Sequence, residues 1–291
     1  VSVTISAVVP MYNEVDGIGA CLDALLGQTR ELDEIIVVDN GSTDGSALAV
    51  EEYVERHPSI HLISEDRPGC YAARAAGYDA ATGDVIARVD ADTWAEPGWA
   101  ATIESFFDDE ENSQYSALTG PTTVHDGPPF AFIERQARKV PKGFENGGPI
   151  GAVHGLNHAI TASAWARVRD TLTNRADVWE DMDLSLAMEE QGMKIFFSPT
   201  MFVATSTRTI QRSPWTNWHY VTGGIRTARA RGNKHRERQM YLDLVFRLIV
   251  FTVMWLIFRP WDPERQKWRP ARLVQRLPVE VADVTVERRR T

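Results

Sequence analysis

The sequence predicts an α/β protein built on a mostly parallel sheet flanked by helices, with a basic helical extension at the C-terminal end. Three observations predict it. Short apolar runs alternate with helical patterns as far as residue 90, two of those runs end in an aspartate, and the chain beyond residue 207 reverses the charge of the part before it.

Ser6 to Pro10 is a short apolar run closed by a proline, the pattern of a strand buried on both faces. Asn13 to Gly27 carries Ile18, Cys21, Leu22, Leu25 and Leu26 at helical spacing. Glu34 to Asp39 reads as the second strand, and Asn40 to Asp44 as a turn whose Ser42 and Thr43 can cap a helix over Ala47 to Arg56. Ile60 to Ser64 is a third strand, Cys70 to Ala81 a helix of small residues, and Asp84 to Asp90 a fourth strand. Such alternation implies right-handed crossovers and a parallel sheet. Ligands of parallel sheets sit at the carboxyl ends of the strands, where Asp39 and Asp90 fall. Further on, Asp126 to Pro129 and Lys142 to Gly151 read as loops. Thr161 to Thr171 and Asp181 to Gln191 read as helices, the second stopped by Gly192, and Lys194 to Phe197 as a strand.

A chain of 291 residues can bury one large core, or one core with an appended subdomain. Its 43% hydrophobic and 24% charged residues exclude a wholly disordered chain. Two cysteines, Cys21 and Cys70, are too few for a disulfide framework or a zinc site, so a cytoplasmic location is expected. Val1 to Pro10 has no basic n-region, so no secretory signal is expected there. Residues 208–291 hold 18 Lys/Arg and 7 Asp/Glu, or +11; with a total of −9, residues 1–207 carry −20. An acidic body argues against general nucleic-acid binding.

Three acidic constellations carry the chemistry. Asp90-Ala91-Asp92 follows a buried strand, and carboxylates at this spacing can converge on a hard divalent cation such as Mg²⁺ or Mn²⁺. The same pair is also compatible with turn capping. Asp39 at a strand end can accept hydrogen bonds from a base or ribose. Glu180, Asp181 and Asp183 open a helix, where the dipole favours acids; a carboxylate fixed there also suits a general base.

The stretches AVVPMYNEVDGIGACLDALLGQ, DEIIVVDNGSTDGS, GDVIARVDADT, GLNHAITASAW and WEDMDLSLAMEEQGMKIFFSP, in this order, resemble the family-2 glycosyltransferases over roughly residues 5 to 210. That family has the GT-A fold, a Rossmann-like nucleotide-diphospho-sugar transferase architecture, and mostly inverts the anomeric carbon. The resemblance implies a GT-A catalytic domain over 1–210 and a basic helical region over 211–291. It implies that Pro10, Tyr12, Glu14, Asp39, Arg74 and Asp90 contact the nucleotide, and that Asp92 with Asp90 holds Mg²⁺ or Mn²⁺. It also implies Asp181 as catalytic base with Glu180 beside it, and Gly155 and Asn157 on the acceptor side. Arg208, Arg212 and His219 are candidates for the diphosphate, and His154 and His158 for a further ligand or phosphate donor. Arg74 is followed by Ala75 where family members often carry Asn, and Gln211 to Trp215 only loosely echoes the motif of processive members, which disfavours polymer synthesis.

The expected activity is metal-assisted transfer of a sugar from a UDP- or GDP-sugar to an acceptor hydroxyl or phosphate. The alternatives are a sugar-phosphate nucleotidyltransferase, against which Met11 to Gly19 lacks a Gly-rich phosphate loop, and a non-catalytic nucleotide-sugar binding module. Leu244 to Phe258 is an apolar run of 15 residues broken by Arg247, shorter than a spanning helix needs. Its basic flanks and Trp255, Trp261 and Trp268 suit a helix lying on an anionic membrane, at the inner face of the cell membrane, and would go with a lipid-linked acceptor. Packing on the catalytic domain or in a homodimer suits it equally.

Overall fold

The computed structural model describes residues 2–129, 138–140 and 142–275. Four strands open the chain, β1 (Ile5–Met11), β2 (Glu34–Asp39), β3 (Ile60–Ser64) and β4 (Val85–Val89), joined by helices α1 (Ile18–Leu26), α2 (Ser46–Arg56) and α3 (Cys70–Ala80). They pair in parallel in the order β3-β2-β1-β4. Side chains on both faces explain the unbroken apolar runs: Ile5, Ala7 and Val9 enter one core cluster, and Val8 enters the other with Ile36 and Val38. The small residues of α3 also have a cause. A Cβ on Gly77 would stand 2.3 Å from Val8 Cγ1, so only glycine lets this helix approach the sheet so closely.

After β4 the chain forms β5 (Thr93–Ala95), α4 (Trp99–Asp108), β6 (Tyr115–Thr119), β7 (Thr122–Val124), β8 (Gly148–Ile150) and β9 (Asn157–Thr161). It continues through α5 (Ala162–Val168), α6 (Glu180–Glu190), β10 (Lys194–Phe197) and β11 (Val203–Thr205). The large sheet has the order β3-β2-β1-β4-β9-β6-β10-β8, with β9 antiparallel to both neighbours and β8 antiparallel to β10; β5, β11 and β7 make a small second sheet. This is the expected α/β architecture with a mostly parallel sheet. Because β9 runs against β4, with Val89 opposite Asn157, the start of β9 lies beside the carboxyl end of β4.

Several local expectations are corrected. The first helix begins at Ile18, since Asn13 at φ 52° and Glu14 belong to a turn. Ser42 and Thr43 do not cap α2, which begins at Ser46 after Gly45 at φ 95°; Asp44 Oδ1 takes the Ser46 N–H instead. Ser42 Oγ accepts the Asn13 N–H, and Thr43 N–H donates to Asn13 Oδ1, so the turn latches onto the β1–α1 loop. The segment 142–151 contains β8 rather than loop alone.

The C-terminal part forms α7 (Trp218–Val221), α8 (Gly223–Ala230), α9 (Lys234–Phe258) and a hairpin of β12 (Trp261–Asp262) with β13 (Lys267–Trp268). The apolar run is part of a helix longer than its 15 residues: α9 spans 25 residues and holds an 18-residue window of mean hydropathy 2.0. One side packs on the body, through Arg247 to Val221 O and Phe251 to Tyr220. The other side presents Leu242, Val245, Phe246, Ile249, Val253 and Leu256 to solvent.

Candidate active site

Three acids arrive at one cavity by different routes. Asp90 leaves the carboxyl end of β4, while Glu180 and Asp181 occupy the first turn of α6. The cavity measures about 410 Å³, and its walls include Asp90, Gly155, Glu180, Asp181, Arg212, His219, Tyr220 and Arg226.

Arg88 binds this cluster from beneath. Its side chain is 2% exposed, and its guanidinium donates to Asp90 Oδ1 at 2.8 Å, to Glu180 Oε1 at 2.5 Å and to Cys70 Sγ at 3.2 Å. Arg74 is also buried and donates to the Glu180 carbonyl at 2.6 Å, which puts it behind the acid rather than on the wall of the cavity. Burial alone would raise the Glu180 carboxyl; the charges of Arg88 and Arg74 overcome it and hold Glu180 well below the ordinary range. Asp181 goes the other way. Burial, then the charge of Glu180, pushes its carboxyl up to about 6. Two neighbouring acids thus hold their protons very differently, the pattern that separates a fixed anion from a proton acceptor. Asp181 is oriented by the N–H of Met182 on Oδ1 at 2.7 Å and the N–H of Gly155 on Oδ2 at 3.2 Å.

Asp92 lies two residues beyond Asp90 but lines a different cavity, of about 210 Å³, with Glu14, Asp16, Trp94, His125 and Arg208. Arg208 Nη2 bridges Glu14 at 2.6 and 2.7 Å and Asp92 Oδ2 at 2.7 Å. Burial pushes Glu14 up to about 7 despite the opposing pull of Arg208. A larger cavity of about 640 Å³ shares Glu14 and Arg208 and reaches Asp44, Asp126 and the C-terminal hairpin at Asp262 and Arg269.

Other expected site residues fall elsewhere. Asp39 sits at the end of β2, opposite Met11 of β1, and accepts the Ser42 N–H at 3.1 Å; it lines none of these three cavities. Pro10 and Tyr12 are half-buried at the end of β1 and just beyond it. Gly155 lines the cavity of Asp181, but Asn157 does not. Its side chain is fully buried, donating to the Pro121 and Met201 carbonyls and accepting from Trp99 Nε1, so it ties elements together. His158 is buried against Tyr78, and burial with the Arg88 charge lowers it to about 3, so it stays neutral and inside the core. His154 is held by the Gly120 carbonyl at 2.9 Å, leaving His219 as the candidate histidine on the cavity wall.

Arg88, Tyr220, Arg226 and the stacked Trp94–His125 pair, with ring centres 3.8 Å apart, were not anticipated. Arg88 had a signal, a cation inside the apolar strand Val85–Val89. The others come together only through tertiary packing.

Among the described residues, no three His, Cys, Asp or Glu side chains converge as a metal-binding group. The two candidate donors line different cavities, and each is paired with an arginine, Asp90 with Arg88 and Asp92 with Arg208. Asp90 and Asp92 offer carboxylate oxygens, and an Mg²⁺-like ion completes its shell with water and substrate phosphate rather than protein ligands.

The fold is that of the GT-A glycosyltransferases. Residues 6–150 match the model of glycosyl transferase family 2, and the chain belongs to that family. A stretch of 99 residues is 35% identical to the uncharacterized glycosyltransferase YibD of Escherichia coli, covering 34% of this chain and 29% of that protein. Another of 98 residues is 34% identical to an undecaprenyl-phosphate 4-deoxy-4-formamido-L-arabinose transferase of Proteus mirabilis, covering 32% of this chain and 30% of that protein. The alignments therefore span about a third of the chain and less than a third of each relative. The mannosyltransferase PcManGT of Pyrobaculum calidifontis, solved with GDP-Man and Mn²⁺, superposes with a TM-score of 0.62 at 21% identity, covering 87% of this chain and 74% of that one. At that identity the likeness concerns the fold.

Proposed function

We propose that the protein transfers a sugar from a UDP- or GDP-sugar to an acceptor hydroxyl or phosphate, with inversion. The observation that carries this reading is the cavity shared by Asp90, Glu180 and Asp181, in which Asp181 alone of the α6 pair has its carboxyl raised, to about 6. Asp181 takes the proton of an acceptor hydroxyl, whose oxygen displaces the nucleoside diphosphate directly. One displacement inverts the anomeric centre. Glu180, kept anionic by Arg88, fixes the electrostatics beside the base. Asp39, Pro10, Tyr12 and Glu14 bind the nucleoside side at the ends of β1 and β2, and Arg208, Arg212 and His219 face the diphosphate. Asp92, with Asp90, would hold Mg²⁺ or Mn²⁺, which supplies positive charge to the leaving diphosphate. PcManGT, solved with GDP-Man and Mn²⁺, supports the donor class and the cation.

The acceptor reading follows from α9. Its outward apolar stripe, joined by exposed Trp215, Trp218 and Trp268 and the +11 charge of residues 208–291, suits an anionic membrane surface. Tyr220 is 48% exposed, lines the cavity of Asp181 and contacts Phe251 of α9, so the helix that carries the stripe packs beside the cavity wall. A lipid-linked acceptor could then bring its polar head to Asp181 while its tail stays in the membrane. The Proteus mirabilis relative, named for undecaprenyl phosphate, supports the same class.

The test is a panel of UDP- and GDP-sugars with Mn²⁺ or Mg²⁺, scored by nucleotide release and by thermal shift. Metal-dependent stabilisation by one nucleotide, with turnover lost in Asp181→Asn, is the expected result. No stabilisation by any nucleotide would overturn the reading.

A further inference from the structure

Arg247 is the charge that interrupts the apolar run of α9, and it does not face outward. Its side chain is 13% exposed. The guanidinium lies over the Trp179 ring at 4.4 Å, donates to the Val221 carbonyl at 3.0 Å and pairs with Asp243 one turn earlier on its own helix. A cation shielded from water over an indole is a favourable contact.

Trp179 is the residue that begins the helix of the base. It is the N-cap of α6, and its own side chain makes no capping hydrogen bond to that helix end. The end is held through Trp179 itself. Its N–H donates to Thr227 Oγ1 at 2.8 Å, its indole N–H donates to the Tyr220 carbonyl at 2.9 Å, and its carbonyl accepts from Asp183 N–H at 2.9 Å. The indole lies in a slot floored by glycine. A Cβ on Gly223 would stand 2.3 Å from its Nε1, and one on Gly224 3.0 Å from its ring. Arg247 contacts the ring in that slot. From the ring the chain runs two residues to Asp181, whose Oδ2 must meet Gly155 N–H.

We infer that Arg247 is a positioning residue: it seats Trp179 at the start of α6 and thereby aims the Asp181 carboxylate, linking the exposed apolar helix to the reacting centre. The inference rests on the reading of Asp181 as base. It also gives α9 a task that depends on where the helix sits, because any tilt of α9 on the body moves Arg247 over the ring.

The test uses the full chain and the UDP- or GDP-sugar that wild type turns over with Mn²⁺, following nucleotide release across pH. Arg247→Met should lower kcat about tenfold to a hundredfold, the usual effect of an ångström-scale misplacement, and leave donor KM within about twofold. The acid limb of the pH profile should move, because the surroundings of Asp181 change. Arg247→Lys, which keeps a cation over the ring, should recover most of the rate. In a Trp179→Leu background Arg247→Met should add nothing further. Full activity of Arg247→Met, or equal and additive losses in both backgrounds, would overturn the inference while leaving Asp181 as base. Full activity of Asp181→Asn would instead remove the base reading itself. Circular dichroism of each variant separates misplacement from unfolding, and a soluble but unfolded Arg247→Met that Arg247→Lys does not rescue counts against positioning.

Discussion

The backbone N–H of Gly155 points at Asp181 Oδ2 from 3.2 Å, and a Cβ on Gly155 would stand 3.2 Å from that same oxygen. The glycine thus orients the carboxylate and leaves it room. Gly155→Ala should displace Asp181, lowering kcat by about tenfold or more with a nearly unchanged melting temperature. Asp181→Asn, which removes the proposed base, should cost roughly 10²–10⁴ in kcat. Steady-state nucleotide release by the two variants checks both.

The pH dependence follows from Asp181. Its carboxyl is raised to about 6, chiefly by burial. A base acts when ionised, so turnover should be full above that value and fall about tenfold per pH unit below it. A kcat profile that stays flat down to pH 4.5 would contradict the assignment.

Arg88 pairs with Asp90 and Glu180 while only 2% exposed. Arg88→Met leaves those two acids without their shared cation. Breaking a buried pair in this way costs about 3–5 kcal/mol. Urea unfolding should show a lower midpoint, and nucleotide release should fall with it; an unchanged midpoint would mean that solvent already screens the cluster.

On the proposed reading of Asp92 as a metal ligand, Arg208 competes with the cation for it, since Arg208 Nη2 reaches Asp92 Oδ2 at 2.7 Å. Arg208→Met should let Mn²⁺ alone raise the melting temperature more than it does for wild type, while transfer slows. Thermal shift with Mn²⁺, with and without GDP or UDP, measures this. Equal Mn²⁺ shifts in both proteins would show that Arg208 does not compete.

The stripe on α9 predicts binding to vesicles of phosphatidylglycerol and phosphatidylcholine. Replacing Leu242, Phe246 and Ile249, all more than half exposed, by Asp should abolish co-sedimentation and leave the hydrolysis of a soluble donor intact. A wild-type chain that ignores vesicles and elutes as a dimer would assign the stripe to a second copy.

Much of the fold was legible in the sequence because its signals are local. β1, β2 and β4 are apolar on both faces, so their runs stand out, and an aspartate closes β2 while another follows β4. β9 was missed for a physical reason. Asn157 and His158 are polar residues at 0% exposure, and only their partners Trp99, Pro121, Met201 and Tyr78 make such burial tolerable. Ser42 and Thr43 had the chemistry of helix caps, but the loop at Asn13 competes for the same groups.

The sequence by itself determined the α/β class, the family and the acids at the strand ends and at the start of α6, because each depends on periodicity or on a short contiguous motif. Only the tertiary structure decided that Asp90 and Asp181 face one cavity while Asp92 pairs with Arg208, and that Arg247 turns inward to Trp179. Proton affinity and side-chain direction depend on burial and on charges far away in the chain. Asp181 is raised and Glu180 lowered although they are adjacent, because Arg88, about 90 residues earlier, pairs with one of them and not the other.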